Sequence, residues 1–230
     1  MPQTLPTAEP FFFPGRGDNA HIGFACDPDG DRLVLVDETG AVLSEELTLA
    51  LAADFILKAE KGPVVANLST SRLIDDIGAA HGVAVHRSKV GEAHVIARMR
   101  ELTAAVGGEG NGGVIYPPLH YGRDAMVGIA LILQSLAADG AVLSQRVASL
   151  PRYFIVKEKA AFEGDFARAE NRIKRGFSGR STALDGIRID MDEGWIHLRR
   201  SNTEPVVRII AEARSLEEAR NLVEKARSLL

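Results

Sequence analysis

Residues 64–113 read VVANLSTSRLIDDIGAAHGVAVHRSKVGEAHVIARMRELTAAVGGEGNGG, and this stretch decides the fold. Val64 to Asn67 is a short β-prone run that predicts a strand. Ser71 to His81 predicts a helix, which Gly82 closes because glycine takes the left-handed conformation of a C-terminal cap. Val83 to Arg87 repeats the strand signal and Glu92 to Leu102 the helix signal. Ala104 to Gly107 predicts a third strand, leading into a glycine-rich loop. Strands and helices in alternation imply an α/β unit with a mostly parallel sheet.

Upstream, His21 to Ala25 and Leu33 to Val36 flank a tight acidic turn and read as two strands. Ser44 is placed to cap a helix reaching about Glu60, with Glu45 and Glu46 in its first turn, where acidic side chains favour the positive end of the helix dipole. Gly62 and Pro63 stop it. Downstream, a long apolar helix is expected over about Asp124 to Ala138. The pattern changes after Pro151: a strand at Tyr153 to Lys157, a charged helix from about Gly164 to Phe177, then strands at Gly186 to Met191, Trp195 to Arg199 and Val206 to Ala211. Ser215 and Glu218 form a capping box for a last helix. The expected fold class is therefore an α/β domain, with a mixed, mostly parallel sheet and flanking helices, followed by a smaller α+β domain with an antiparallel sheet.

The chain has 230 residues, 46% of them hydrophobic and 25% charged, which is the composition of an ordinary globular protein. A formal charge of -4 argues against nucleic acid as a partner. No apolar run approaches a bilayer span, so no membrane partner is expected. The opening MPQTLPTAEPFFFPGRGD has no basic leader and is rich in Pro and Gly, so it should be irregular. The single cysteine, Cys26, excludes an intrachain disulfide and fits a cytoplasmic location. It is expected to be a small buried apolar group, and Trp195 to be core. His81, His86, His94, His120 and His197 show no metal-ligand spacing and read as surface or satisfied histidines, with His120 the exception that, shortly after the glycine-rich loop, could reach a cleft. Arg172, Lys174, Arg175 and Arg180 read as a solvated helix end.

Three loops carry chemistry. Asp27-Pro28-Asp29-Gly30-Asp31-Arg32 sets three carboxylates at alternating positions, where oxygen ligands at short range suit Mg²⁺ or Ca²⁺. An EF-hand competes, with Glu38 at its twelfth position, but Arg32 stands where that loop needs glycine. A solvated acidic hairpin is the plain alternative. Gly107 to Gly113 lets the backbone approach a ligand, and its Glu109 and Asn111 suit sugar hydroxyls. Its spacing matches neither a dinucleotide fingerprint nor a Walker A loop, and a surface loop is the plain alternative. Arg199 to Pro205, with Arg208 on the next strand, combines hydroxyls, an amide and arginines as a phosphate cradle does. A solvated β-turn is its alternative.

In this order and spacing, the three loops resemble the α-D-phosphohexomutase family of phosphoglucomutases, phosphomannomutases and phosphoglucosamine mutases. Lys89-Val90-Gly91 and Arg123-Asp124 also match places where that family keeps similar residues. The resemblance covers essentially the whole chain. It implies that residues 1–40 are the end of the family's second domain with the metal loop, 41–150 its sugar-binding third domain, and 151–230 its phosphate-binding fourth. It implies a reaction interconverting hexose 1-phosphate and 6-phosphate through a bisphosphate, carried by a phosphoserine of the first domain. No serine here has the family's His-Asn-Pro neighbours, so the chain alone is expected not to turn over. Carried over, Asp27, Asp29 and Asp31 would hold Mg²⁺, and Arg32 would touch the transferring phosphate. Lys89 would be an acid or base, and Glu109 and Asn111 would bind the sugar. Arg199, Ser201, Asn202, Thr203 and Arg208 would hold the other phosphate. The run Asn111-Gly112-Gly113 departs from the Ser-Gly-His of many members and leaves the sugar open, between phosphoglucosamine and phosphomannose types. Expected partners are a hexose phosphate or bisphosphate, and either a second copy or the N-terminal half of the enzyme. A non-catalytic sugar-phosphate and metal binding module is the alternative.

Overall fold

The computed structural model describes residues 20–201 and 204–230, so the Pro-rich opening lies outside the described residues. An antiparallel hairpin, β1 (Gly23–Cys26) and β2 (Leu33–Val36), leads into α1 (Glu46–Ala59). Then follow β3 (Val64–Asn67), α2 (Leu73–His81), β4 (Val85–Ser88), α3 (Glu92–Leu102), β5 (Val106–Glu109), β6 (Gly113–Ile115), α4 (Ala125–Asp139) and α5 (Leu143–Ala148). The sheet order is β4-β3-β5-β6, parallel except for β6. Along β3 the side chains alternate. Val64 and Ala66 enter the core built with α1, α2 and α4, while Val65 enters the one built with Val95 and Met99 of α3. Helices on both faces keep every residue of β3 buried. Gly82 closes α2 in the left-handed conformation, at φ 68°.

The second lobe contains β7 (Phe154–Ala161), α6 (Phe166–Gly176), β8 (Arg180–Thr182), β9 (Ile187–Asp190), β10 (Gly194–Arg200), β11 (Val206–Ala213) and α7 (Leu216–Ser228). Its sheet runs β7-β11-β10-β9-β8, antiparallel throughout. One face is apolar. Ile187, Ile189, Ile196, Leu198, Val207 and Ile209 pack there with Ala169 and Ile173 of α6 and Val223 of α7. Residues opposite each other on neighbouring strands share a face, so the register places Lys159, Arg208 and Arg199 in one row of the other face. Lys157, Ile210, His197 and Arg188 make the next row. The Ser215–Glu218 capping box at α7 forms as read.

Several local readings shift. Strand β5 begins two residues later than expected, because Ala104 and Ala105 are still turning out of α3. Strand β6 was not expected, since the glycine-rich loop is itself the turn of a hairpin. The short elements α5 and β8 carried no distinct signal. Glu45, not Ser44, is the N-cap of α1, and the Ser44 hydroxyl instead accepts from Glu46 N at 3.4 Å. Cys26 is exposed rather than buried, because it ends β1 at the edge of a two-stranded hairpin.

The polar face of the second sheet meets the first lobe. Trp195 is fully buried, with Arg188 stacked 4.2 Å over its ring. Arg188 also donates to Leu68 O in the first lobe and to Asp190. The buried Glu212 carboxylate accepts from Trp195 Nε1 at 2.7 Å and from Arg72 N at 3.0 Å. His197 Nδ1 lies 2.9 Å from Ser69 Oγ, and its Nε2 is 2.7 Å from Asp185 O. Burial, reinforced by nearby Arg188, pushes the imidazole down to about 4, against the bond to Asp185. The ring is therefore neutral, donating from Nε2 and accepting the Ser69 hydroxyl at Nδ1.

A pH signature follows. Above about pH 6.5 neither the folded nor the unfolded histidine holds the extra proton. As pH falls below that value the unfolded chain takes it up first, so stability drops until the folded ring protonates near 4. Urea unfolding at pH 7.5 and 5.0 should show His197→Asn losing about 2 kcal/mol less than wild type between the two. Equal losses would show that this histidine does not set the acid limit.

Candidate functional site

The lobes enclose a cavity of about 520 Å³ at the carboxyl ends of the parallel strands, where open α/β sheets place their ligands. The first lobe contributes Asn67 at the end of β3 and Ser69 just after it, Val90 to Glu92 at the head of α3, and Glu109 to Asn111. Arg32, Arg123 and the start of α1 complete that side, and the second lobe supplies Lys157, Arg199, Arg208 and Ile210.

Of the residues expected from sequence, Arg32, Glu109, Asn111, Arg199 and Arg208 line this cavity. Lys89 is exposed just outside, although its neighbours Val90 and Gly91 are in the wall. Ser201 is buried at the end of β10, its N–H donating to Val206 O at 3.0 Å. Asn202 and Thr203 lie outside the described residues.

Glu109 is only 3% exposed, and the protein engages both its oxygens. Oε1 accepts from Asn67 Nδ2 at 2.6 Å and Gly91 N at 2.9 Å, and Oε2 accepts from Arg123 Nη1 at 2.7 Å. Its carboxylate therefore builds the wall as much as it faces the cavity. Arg123 also reaches Asp31 Oδ2, and its backbone N–H donates to Glu92 Oε1 at 2.6 Å. Asn111 Oδ1 accepts from Gly113 N and shapes the turn.

The acidic turn does not gather three carboxylates, as the sequence led us to expect. Asp27 Oδ1 accepts the N–H groups of Asp31 and Arg32, both at 3.2 Å. These bonds outweigh desolvation and hold its carboxyl below the usual range. Burial raises Asp31 despite Arg123, and its Oδ1 is buried with no hydrogen-bond partner. Asp29 stays exposed. Among the described residues no group of three or more His, Cys, Asp and Glu is arranged to hold a metal ion. The donor chemistry of the turn suits a hard cation, but the arrangement does not fit one, so no chemical step is derived through a metal.

At the other end, Arg199 and Arg208 stand opposite each other across β10 and β11. Arg199 Nε is buried without a hydrogen-bond partner and 3.7 Å from Asp185 Oδ2. Paired guanidinium groups beside a strand-end turn form an anion pole. Among the wall residues that escaped the functional reading of the sequence, Glu46 and Lys157 are the pair that joins the lobes. Glu46 read only as a helix-start acid, and Lys157 only as part of a strand, because what joins them is the meeting of lobes 111 residues apart.

The chain matches two family models: "Phosphoglucomutase/phosphomannomutase, alpha/beta/alpha domain III" over residues 44–154, and "Phosphoglucomutase/phosphomannomutase, C-terminal domain" over 153–229. It is 39% identical to a phosphoglucomutase/phosphomannomutase of Thermococcus kodakarensis, covering 92% of this chain and 47% of that protein. It is 37% identical to a probable phosphoglucosamine mutase of Methanopyrus kandleri, covering 90% and 47%. Among solved structures, a phosphoglucomutase/phosphomannomutase family protein of Burkholderia thailandensis superposes with a TM-score of 0.79 at 26% identity, over 94% of this chain and 48% of that one. The chain thus spans about half the length of the curated relatives it matches. No described helix is long and apolar enough to cross a membrane.

Removing one partner of a buried ion pair leaves an uncompensated charge. Arg123→Met is expected to destabilise the chain by about 3–5 kcal/mol in urea unfolding. Adding Glu109→Gln to that variant should restore part of the loss, since a neutral amide needs no counter-charge. A double variant no more stable than Arg123→Met would show that the Glu109 charge is not what Arg123 serves.

Proposed function

The chain belongs to the phosphoglucomutase/phosphomannomutase family, and we propose that it forms the sugar-phosphate-binding half of a phosphohexomutase. The reaction read for the whole enzyme is interconversion of hexose 1-phosphate and hexose 6-phosphate through a bisphosphate, of the phosphoglucosamine or phosphomannose type. The observation that carries this is the polarity of the cavity. The second lobe brings the Arg199–Arg208 pair, and the first lobe a wall of amide, carboxylate and glycine backbone together with Arg32 and Arg123. That set of donors and acceptors suits a ring of hydroxyls carrying a phosphate.

In this reading Arg199 and Arg208 hold the phosphate that is not being transferred, helped by Ser201 and by Asn202 and Thr203, which lie outside the described residues. Asn111 and the loop anchored by Glu109 meet the sugar hydroxyls. Arg32 meets the transferring phosphate, and Lys89, exposed beside Val90 and Gly91 of the wall, is the candidate acid or base. Asp27, Asp29 and Asp31 are the donors this reading would give to Mg²⁺ in the whole enzyme, although the turn as it stands does not gather them. A phosphoserine carried by the other half of the enzyme would supply the phosphoryl group, and this chain would orient the sugar toward it.

Phosphorus NMR with glucose 1,6-bisphosphate is expected to show its signals shifted or broadened by the chain. Arg199→Met and Arg208→Met should each weaken binding about tenfold, the loss of one charge-assisted hydrogen bond or more. With Mg²⁺, trace bisphosphate and glucosamine 6-phosphate, glucose 6-phosphate or mannose 6-phosphate, no 1-phosphate should form. Unperturbed bisphosphate signals at millimolar chain would remove the reading. Net interconversion by this chain alone would overturn the assignment of the phosphoryl carrier to the other half.

A further inference from the structure

Lys157 enters the cavity from β7, and the first lobe holds it there with two carboxylates. Its ammonium lies 3.0 Å from Glu45 Oε1 and 3.1 Å from Glu46 Oε1. These glutamates are not alike. The Glu45 side chain is 41% exposed, whereas that of Glu46 is 7% exposed and lies against the glycine-rich loop. Glu46 Oε2 accepts from Ser71 N at 2.9 Å, and a Cβ on Gly110 would overlap the same carboxylate. The glycine at 110 thus makes room for an acid, not only for a ligand.

The register supplies the second observation. Lys157 sits one row along the strands from the Arg199–Arg208 pair, on the same face of the sheet. Lys159, in the row of the arginines, is tied instead to Glu204 at 3.0 Å and is not among the cavity residues. Lys157 is therefore the cation beside the arginine pair whose counter-ions come from the opposite lobe.

We propose that Lys157 is a third cationic ligand for the phosphate received by Arg199 and Arg208, and that Glu46 is the counter-ion that releases it. This rests on the sugar-phosphate reading of the cavity. A dianionic phosphate competes with the two carboxylates for the ammonium. When Lys157 turns to the phosphate, Glu46 loses the positive charge that favours its ionised form and takes a proton from solvent. The surroundings agree on the sign. Burial pushes Glu46 up to about 7, and Lys157 is the charged neighbour that opposes this, helped by the Ser71 N–H. Glu45 on the same helix pushes toward the neutral form. Glu212 of β11, which shares a second cavity of about 240 Å³ with Glu46, is itself raised by burial. The carboxylates in turn outweigh burial at Lys157 and raise it, so the lysine keeps its proton throughout.

The test is calorimetric titration of the chain with glucose 1,6-bisphosphate at pH 8, where the ligand's phosphates are already dianionic, in buffers of different ionisation enthalpy. Wild type should take up a substantial fraction of one proton per ligand bound. Lys157→Met should bind about tenfold more weakly and take up none. Glu46→Gln should also take up none, yet bind at least as tightly, because its lysine is already free of one counter-ion. A purely structural role would weaken both variants and leave the proton count in place. Wild-type binding with no proton uptake, or Lys157→Met binding as wild type does, overturns this inference and leaves the sugar-phosphate reading standing. No binding by wild type overturns both.

Discussion

The cavity depends on one guanidinium. Arg123 joins Asp31 of the acidic turn, Glu109 of the glycine-rich loop and, less closely, Glu92 at the head of α3. Three carboxylates from three segments converge there and would repel one another without it. Its position is set by the helix that follows. The Asp124 side chain caps α4 by accepting from Met126 N and Val127 N, its backbone N–H reaches Val114 O in β6, and Ala125 N reaches Gly30 O in the acidic turn. The N-terminus of α4 therefore fixes Arg123, and Arg123 fixes the loops. A helix cap and a buried ion pair together do what the glycine-rich loop cannot do for itself, since such backbone has few side chains with which to order itself.

The second constraint is the mismatch between the two faces of the antiparallel sheet. One face buries aliphatic side chains under two helices, as expected for half-buried strands. The other buries Arg188, Glu212 and His197 against the first lobe. Ions taken out of water cost free energy unless paired; Arg188 pairs with Asp190 and Glu212 Oε1 accepts from Trp195 and Arg72, while Glu212 Oε2 is buried without a partner. Trp195 supplies both a ring under Arg188 and an N–H for Glu212, so a single apolar residue organises two opposite charges. The approach of the lobes is what sets Lys157 against Glu45 and Glu46 and closes the cavity.

The alternation of strand and helix over residues 64–113 was legible because short β-prone runs alternate with longer helical segments, α2 carrying its own stop signal in Gly82. The capping box before α7 was legible as a local signal of the same kind. Strand β6 was not, because three residues inside a glycine-rich run show no period, and its pairing with β5 is a property of the folded hairpin. The three loops were legible as chemistry from their side chains alone. Their geometry was not. Spacing in the acidic turn says that Asp27, Asp29 and Asp31 are close in sequence, but arginines decide where two of the carboxylates go, and Arg123 lies 92 residues away. Glu46 was hidden most completely. At the first turn of a helix an acid has a sufficient local explanation, and nothing local says that its carboxylate is turned into the core beneath Gly110.

The charges around the cavity are nearly all committed to one another before any ligand arrives. Arg32 stands between Asp27 and Asp31, Arg123 among three carboxylates, Lys157 between two, and Arg199 near Asp185. A cavity lined by free cations would hold anions tightly but would cost stability when empty, through mutual repulsion. Counter-ions remove that cost and change the nature of recognition. At every one of these cations an entering anion displaces a carboxylate from a partner it already has; Arg208, exposed and in no ion pair among the described residues, is the cavity cation that offers its charge directly. A weak or singly charged anion has little to gain from such an exchange, whereas a phosphate dianion presents more charge and more acceptor oxygens than the carboxylate it replaces. Preference for a doubly charged group then comes from competition inside the wall, with the fate of each displaced carboxylate as part of the binding free energy. Where that carboxylate is exposed, water takes it back. Where it is buried, as at Glu46, only a proton can.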